Sequence, residues 1–106
     1  MPTPAVINAF VNAVNAGDTE AFLALFAADG AVDDWGSRYV GREQIRTWSD
    51  RELIGANATL KIRSSQQHGN AASVLVEVGG DGFKGPSRFA FTLNGELVRE
   101  MKITAD

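Results

Sequence analysis

The chain has no cysteine, one histidine, one tyrosine and three prolines in 106 residues. Without cysteine there is no disulfide framework and no thiolate metal site. His68 stands without neighbouring carboxylates, and one such histidine does not make a zinc centre. No apolar run approaches the roughly 18 to 20 residues that a membrane-spanning helix needs. The opening MPTPAVINAF also lacks the basic start and continuous apolar core of a signal peptide. Positive charge is scarce as well: ten basic residues against thirteen acidic leave a net charge of −3 and a pI near 5.0. The basic residues are scattered, which excludes the concentrated cationic face that nucleic acid requires. With 44% apolar residues the chain supports one core and not two. The expectation is a soluble, cytoplasmic, single domain spanning 1–106, with neither a nucleic-acid nor a membrane partner.

What is present falls into two halves. Thr3 and Pro4 suit a helix start, with the hydroxyl as cap and proline at the first helical position. Ile7, Phe10, Val11 and Val14 then repeat at helical spacing, with Asn8, Asn12 and Asn15 on the wetter side. Gly17 stops this helix and Asp18 caps a second one over about 19–27, which offers Phe22, Leu23 and Phe26 to a core. Ala28-Asp29-Gly30 breaks the pattern, AVDDW reads as a short strand, Gly36-Ser37-Arg38 as a turn, and Tyr39-Val40 as a brief extended piece. A third helix over about 42–54 presents Ile45, Trp48 and Leu53, and Gly55 ends it.

From there the period changes to two. Strands are expected at 58–67, 71–79, 86–93 and 96–104. His68-Gly69-Asn70 and the glycine cluster GGDGFKGP make the first two connections, and Asn94-Gly95 is a type I′ hairpin signal. The cluster is followed by no helix and lacks the lysine-hydroxyl ending of a phosphate loop, so it reads as a hairpin loop whose Phe83 covers a dimer partner or a cavity mouth. A helical hairpin and a third helix on one face of a curved, mainly antiparallel sheet make an α+β fold. Such an arrangement leaves a pocket between its layers. Leu75 and Val98 are placed on the far face, whose partial apolarity favours a homodimer through the sheet.

The run FVNAVNAGDTEAFLALFAADGAVDDWGS, followed by VGREQIRTW, resembles the ketosteroid isomerase and SnoaL-like polyketide cyclase group of the nuclear-transport-factor-2-like superfamily. The resemblance covers essentially the whole chain. It implies a cone-shaped α+β barrel whose three helices cover the concave face of the sheet, with an internal cavity. Its motifs specify fold far more than activity, because the superfamily holds isomerases, cyclases, dehydratases, epoxide hydrolases and non-enzymatic binding domains. In the isomerases a general-base aspartate follows the short strand, and Val32-Asp33-Asp34-Trp35 puts Asp34 in that position. Their first oxyanion donor is a tyrosine, and the matching segment here begins with Phe10, whose ring cannot donate. Their second is a protonated aspartate two residues before an F-x-F, where this chain has Ser87. Steroid isomerisation by that mechanism is therefore not expected.

The candidate site follows from these positions. Asp34 is the candidate catalytic base, with Phe10, Trp35, Tyr39, Trp48, Ser87 and Arg99 as candidate substrate-binding residues. Adjacent strand residues face opposite ways, so Asp33 and Asp34 do not form a shared-proton pair. The bland alternative is that one is solvated and the other pairs with Arg38 or Arg42. Trp35 and Trp48 shape a hydrophobic pocket or simply pack, and the Tyr39 phenol replaces the missing donor or sits in water. Asp50 and Arg51 do not reproduce the Asp-Arg-Asp arrangement of the family's epoxide hydrolases, and an Arg46–Asp50 pair at i, i+4 is the simpler account. Arg99 alternates with Leu97, Met101 and Ile103, which points it inward unless the strand is bulged.

Two functions fit. One is a cofactor-independent isomerase, cyclase or hydrolase-type enzyme that works on a small apolar organic molecule, with Asp34 as general base. The other is a non-catalytic dimeric domain of the same fold that binds a ligand or is structural. They are discriminated by whether Asp34 opens into a cavity or the cone is packed shut by Phe10, Phe22 and Trp48.

Overall fold

The computed structural model describes residues 4–105. Three helices, α1 (Ala5–Ala16), α2 (Thr19–Ala24) and α3 (Arg42–Glu52), lie against one six-stranded sheet. Its strands are β1 (Phe26–Asp34), β2 (Ser37–Val40), β3 (Thr59–His68), β4 (Ala71–Gly79), β5 (Gly85–Asn94) and β6 (Leu97–Ala105), in the order β2-β1-β6-β5-β4-β3. The β1–β6 pair is parallel and the other four pairs are antiparallel. The sheet curls around the core without closing, so β2 and β3 remain its edges.

The α1–α2 hairpin forms as its capping residues require. Gly17 adopts φ 69, the left-handed conformation that closes α1, and Oδ1 of Asp18 accepts from the Ala21 N–H at 3.1 Å. Pro4 is the residue preceding α1 and not its first helical residue; Thr3 lies outside the described residues. Asn15, exposed on α1, is more than a solvated side chain. Its amide donates to Leu60 O at 3.0 Å and accepts from Leu60 N at 2.7 Å, which clips the helix to the β3 edge.

The largest departure from the expected elements is in β1. The second helix ends at Ala24, three residues early, and Phe26 and Ala27 already belong to the strand. Phe22, Leu23 and Phe26 suit a helix face, but the Val98 N–H donates to Leu25 O at 2.7 Å and Phe26 pairs with Val98. Tertiary pairing with β6 thus overrides local periodicity. The Ala28-Asp29-Gly30 break is a bulge inside this strand, where the register jumps between Phe26 and Ala31. A Cβ at Gly30 would lie 3.0 Å from Ala27 O and 3.1 Å from Val98 O.

A second bulge corrects β6. The register shifts between Thr92 and Leu93, leaving Arg99 unpaired, so Val98 turns into the core and Arg99 stays exposed. Leu97 is 37% exposed for the same reason. The β5–β6 turn is Gly95-Glu96 with positive φ at Gly95 alone, the type II′ pattern. On α3, Arg46 pairs with Glu20 at 2.7 Å and not with Asp50, which ties α3 to α2.

The core occupies the concave side. Phe10 is 1% exposed, and its ring centroid lies 5.9 Å from that of Phe22, 5.8 Å from Phe89 and 5.3 Å from Phe91. The deep part of the cone is therefore filled by phenyl rings.

Candidate active site at the mouth of the cone

Asp34 is the last residue of β1, where the strand turns away from β6. Its Oδ2 accepts a hydrogen bond from the indole Nε1 of Trp48 at 2.9 Å. Asp33 points the other way, and its Oδ1 accepts from the Gly36 N–H at 2.8 Å across the β1–β2 turn. The two carboxylates thus have different partners. Arg38 and Arg42 pair with neither: Arg38 Nη1 bonds Glu100 at 2.6 Å, and the Arg42 guanidinium donates to Phe26 O.

Beside Asp34 lies a cavity of about 80 Å³. Trp48 and Glu52, one helical turn apart on α3, form one wall. Val78 and Gly79 from the end of β4, with Ser87 and Phe89 from β5, form another, and Ile103 comes from β6. Trp35 and Phe83 also line it, at 60% and 52% exposure, and mark where it meets solvent. The loop carrying Phe83 is braced from below. Asn57 Nδ2 donates to Asp81 at 2.8 Å and the Asp81 N–H to Ala56 O at 2.9 Å. Gly80, at φ 115, lets the chain pass so near that a Cβ would sit 2.5 Å from Asn57 O.

The structure brings Asp34, Trp35, Trp48 and Ser87 to this cavity; Phe10, Tyr39 and Arg99 lie outside its lining. Phe10 is behind Phe89, in the phenyl cluster. Tyr39 supports Trp48 from outside, with ring centroids 6.2 Å apart, and its hydroxyl accepts from Arg51 Nη2 at 3.2 Å. Arg99 lines a depression with Asp29, Arg38 and Glu100. Ser87 is 2% exposed and its hydroxyl donates to Thr104 O at 2.9 Å, so its proton already has an acceptor. Glu52 is the charged lining residue that sequence reasoning missed. The signal was available: it follows Trp48 by four residues on one helix.

Trp35 carries a backbone cost. It and Gly36 form the two-residue β1–β2 turn with φ 55 and 94, as a type I′ turn requires at both central positions. For a bulky side chain that conformation costs on the order of 1–3 kcal/mol. Since the indole is largely exposed, little packing offsets it. Trp35→Asn, which creates the favoured Asn-Gly turn, is expected to raise the stability of the fold by about 1 kcal/mol. A urea midpoint equal to or below that of the wild type would contradict this.

The model of the SnoaL-like domain matches residues 7–101. The chain belongs to the SnoaL-like domain family. A search of curated protein sequences finds no match. Among solved structures, this SnoaL-like chain is similar to a protein from Sinorhizobium meliloti proposed to be a polyketide cyclase. That match has a TM-score of 0.85 and 25% identity, covering 96% of this chain and 95% of the other. It is similar also to a Catenulispora acidiphila protein with a ketosteroid isomerase-like fold, solved in complex with trimethylamine. There the TM-score is 0.84 and the identity 25%, over 97% of this chain and 86% of the other. A Cytophaga hutchinsonii nuclear-transport-factor-2-like protein of unknown function matches at TM-score 0.84 and 12% identity, over 100% and 95% of the chains, and shows the fold alone. The SnoaL-like cone, with its mostly antiparallel curled sheet and three helices, is thus shared along almost the whole chain.

Proposed function

We propose that this SnoaL-like protein binds a small organic molecule at the mouth of its cone, with Asp34 as the group that takes up the ligand's hydrogen bond or proton. The observation that carries the reading is the Asp34 carboxylate, fixed by the Trp48 indole at the wall of a cavity. The size of the cavity bounds the ligand. Pockets that enclose drug-sized ligands run to about 300–1,000 Å³, against about 80 Å³ here. A multi-ring steroid or polyketide would project into solvent, whereas a molecule of a few heavy atoms would be enclosed. The trimethylamine in the Catenulispora acidiphila structure is of that size. The test is a panel of small molecules added to labelled protein, followed by the indole N–H resonance of Trp48 and the amides of Gly79 and Gly82. Shifts confined to these groups support the reading, and a panel that moves none of them removes it.

One observation favours a second reading, proton transfer with Asp34 as general base: Asp34 borders the cavity. Against it, Phe10 offers no donor and the Ser87 proton is engaged, so a developing enolate meets no side-chain donor from either position. Cyclohexanone, a compact carbon acid, provides the check. Wild-type protein must exchange its α-protons with D₂O faster than Asp34→Asn does, and equal rates end the enzyme reading. A homodimer through the outer face of the sheet, where Leu75 pairs with Arg88 and Ser73 with Ala90, completes the proposal. Sedimentation at micromolar concentration giving a monomer would refute that part.

A further inference from the structure

We propose that the ligand of this cavity is a small organic cation, an alkylated ammonium group held by aromatic faces and carboxylate charge. The inference rests on the small-molecule reading above and deepens it by naming the chemical class.

The lining is one-sided in its chemistry. Its charged side chains are Asp34 and Glu52, both acidic, and no lysine, arginine or histidine is among the described residues that line it. Of its three side-chain donors two are engaged, the Trp48 indole on Asp34 and the Ser87 hydroxyl on Thr104 O, which leaves the Trp35 indole at the rim. An anionic or strongly accepting ligand would therefore meet carboxylates and few free donors. A cation meets the reverse.

Aromatic rings share the cavity with those carboxylates. Trp35, Trp48, Phe83 and Phe89 all line the same cavity. The negative face of an aromatic ring attracts a cation, tryptophan most strongly, and quaternary ammonium groups are recognised in this way. An alkylated ammonium also suits a space with few free donors, because its methyl groups make no hydrogen-bond demands. Glu52 is partly compensated by Arg51, whose Nε lies 3.5 Å from its carboxylate, so Asp34 supplies the less compensated charge. The strained backbone at Trp35 fits the same account. A turn that prefers asparagine or glycine carries instead a large exposed indole at the rim. A residue kept in a costly conformation, without packing to stabilise it, points to a role for its side chain.

Choline and its uncharged carbon isostere, 3,3-dimethylbutan-1-ol, separate charge from shape. Both are titrated into the folded protein in 0.15 M NaCl, where screening over about 8 Å weakens attraction to the general surface. The readout is the Trp48 indole N–H, with the Trp35 indole as a second reporter. The expected result is choline binding at least tenfold more tightly than the isostere, with that preference reduced at least fivefold in Asp34→Asn and in Trp35→Asn. Asp34→Asn keeps an oxygen to accept from Trp48, and Trp35→Asn suits the turn, so both variants fold. Equal binding of the two probes overturns the cation inference but leaves small-molecule binding intact. So does silence toward both probes while another small molecule shifts the Trp48 resonance. If no small molecule moves it, the inference and the reading beneath it fall together.

Discussion

Phe10→Ala is expected to cost about 3–5 kcal/mol, one of the two largest single losses foreseen for this chain. A domain of this size has a total stability of only about 5–15 kcal/mol, so the variant will be marginally folded at 37 °C. The magnitude follows from position. The ring is 1% exposed and packs against Phe22, Phe89 and Phe91, joining α1, α2 and β5 in one cluster. Removing it leaves a void among rings that cannot collapse without moving a helix. That void adjoins Phe89, whose other side lines the Asp34 cavity. The variant is therefore also expected to bind benzene or indole more tightly than the wild type does. Urea unfolding reads the first effect and ligand-dependent shifts of the Trp48 indole read the second. A loss under 1.5 kcal/mol would show that the phenyl cluster is looser than its geometry implies. Phe10→Tyr is a useful partner. It supplies the hydroxyl used by the isomerases this family resembles, but places it among phenyl rings, where an unsatisfied hydroxyl costs about 1–3 kcal/mol. It is not expected to create an oxyanion donor for Asp34.

That contrast shows what was legible in the sequence. Alternation along β4 and β5 sets Val74 and Val76, and Phe89 and Phe91, on one face each, and those faces are the core, because strands buried on one face reveal their period directly. The Gly17-Asp18 pair marked the helical hairpin through local capping chemistry, which needs no tertiary information. Position 34 was legible by resemblance and by its place at a strand end. The bulges were not. One extra residue at Arg99 turns Val98 inward in place of Leu97 and Arg99 while Met101 and Ile103 stay buried, and nothing in LVREMKITA announces it. The end of α2 was ambiguous because Phe22, Leu23 and Phe26 satisfy both a helix face and the start of a strand. Only β6, more than seventy residues away in the chain, decides between them. Glu52 escaped notice because an exposed helical glutamate is ordinary until its neighbour Trp48 is known to reach Asp34. Side-chain direction makes a site, and single-residue shifts in register control direction.

Trp48 is the residue on which both the fold and the site depend, and paired substitutions separate its two roles. Trp48→Ala is expected to lose about 3–5 kcal/mol, since the side chain is 1% exposed at the junction of α3 with the sheet. Trp48→Phe keeps most of the ring and removes the donor to Asp34. Its expected cost is smaller, about 2 kcal/mol, combining a lost hydrogen bond to a charged group with a small void. Asp34→Ala leaves the buried indole N–H without its acceptor. Combining Asp34→Ala with Trp48→Phe therefore restores part of the sum, with an expected coupling of about 0.5–1.5 kcal/mol. The carboxylate is only half-buried, so water replaces part of the interaction and the lower half of that range is favoured. A coupling near zero would mean that the contact at 2.9 Å positions nothing. Asp34 would then be a solvated strand-end carboxylate, and its claim to be the ligand's partner would fail with it. A measurable coupling, together with loss of the choline preference in Trp48→Phe, would place the indole in two roles at once. It would be the face that meets the cation and the donor that aims the carboxylate at the same point.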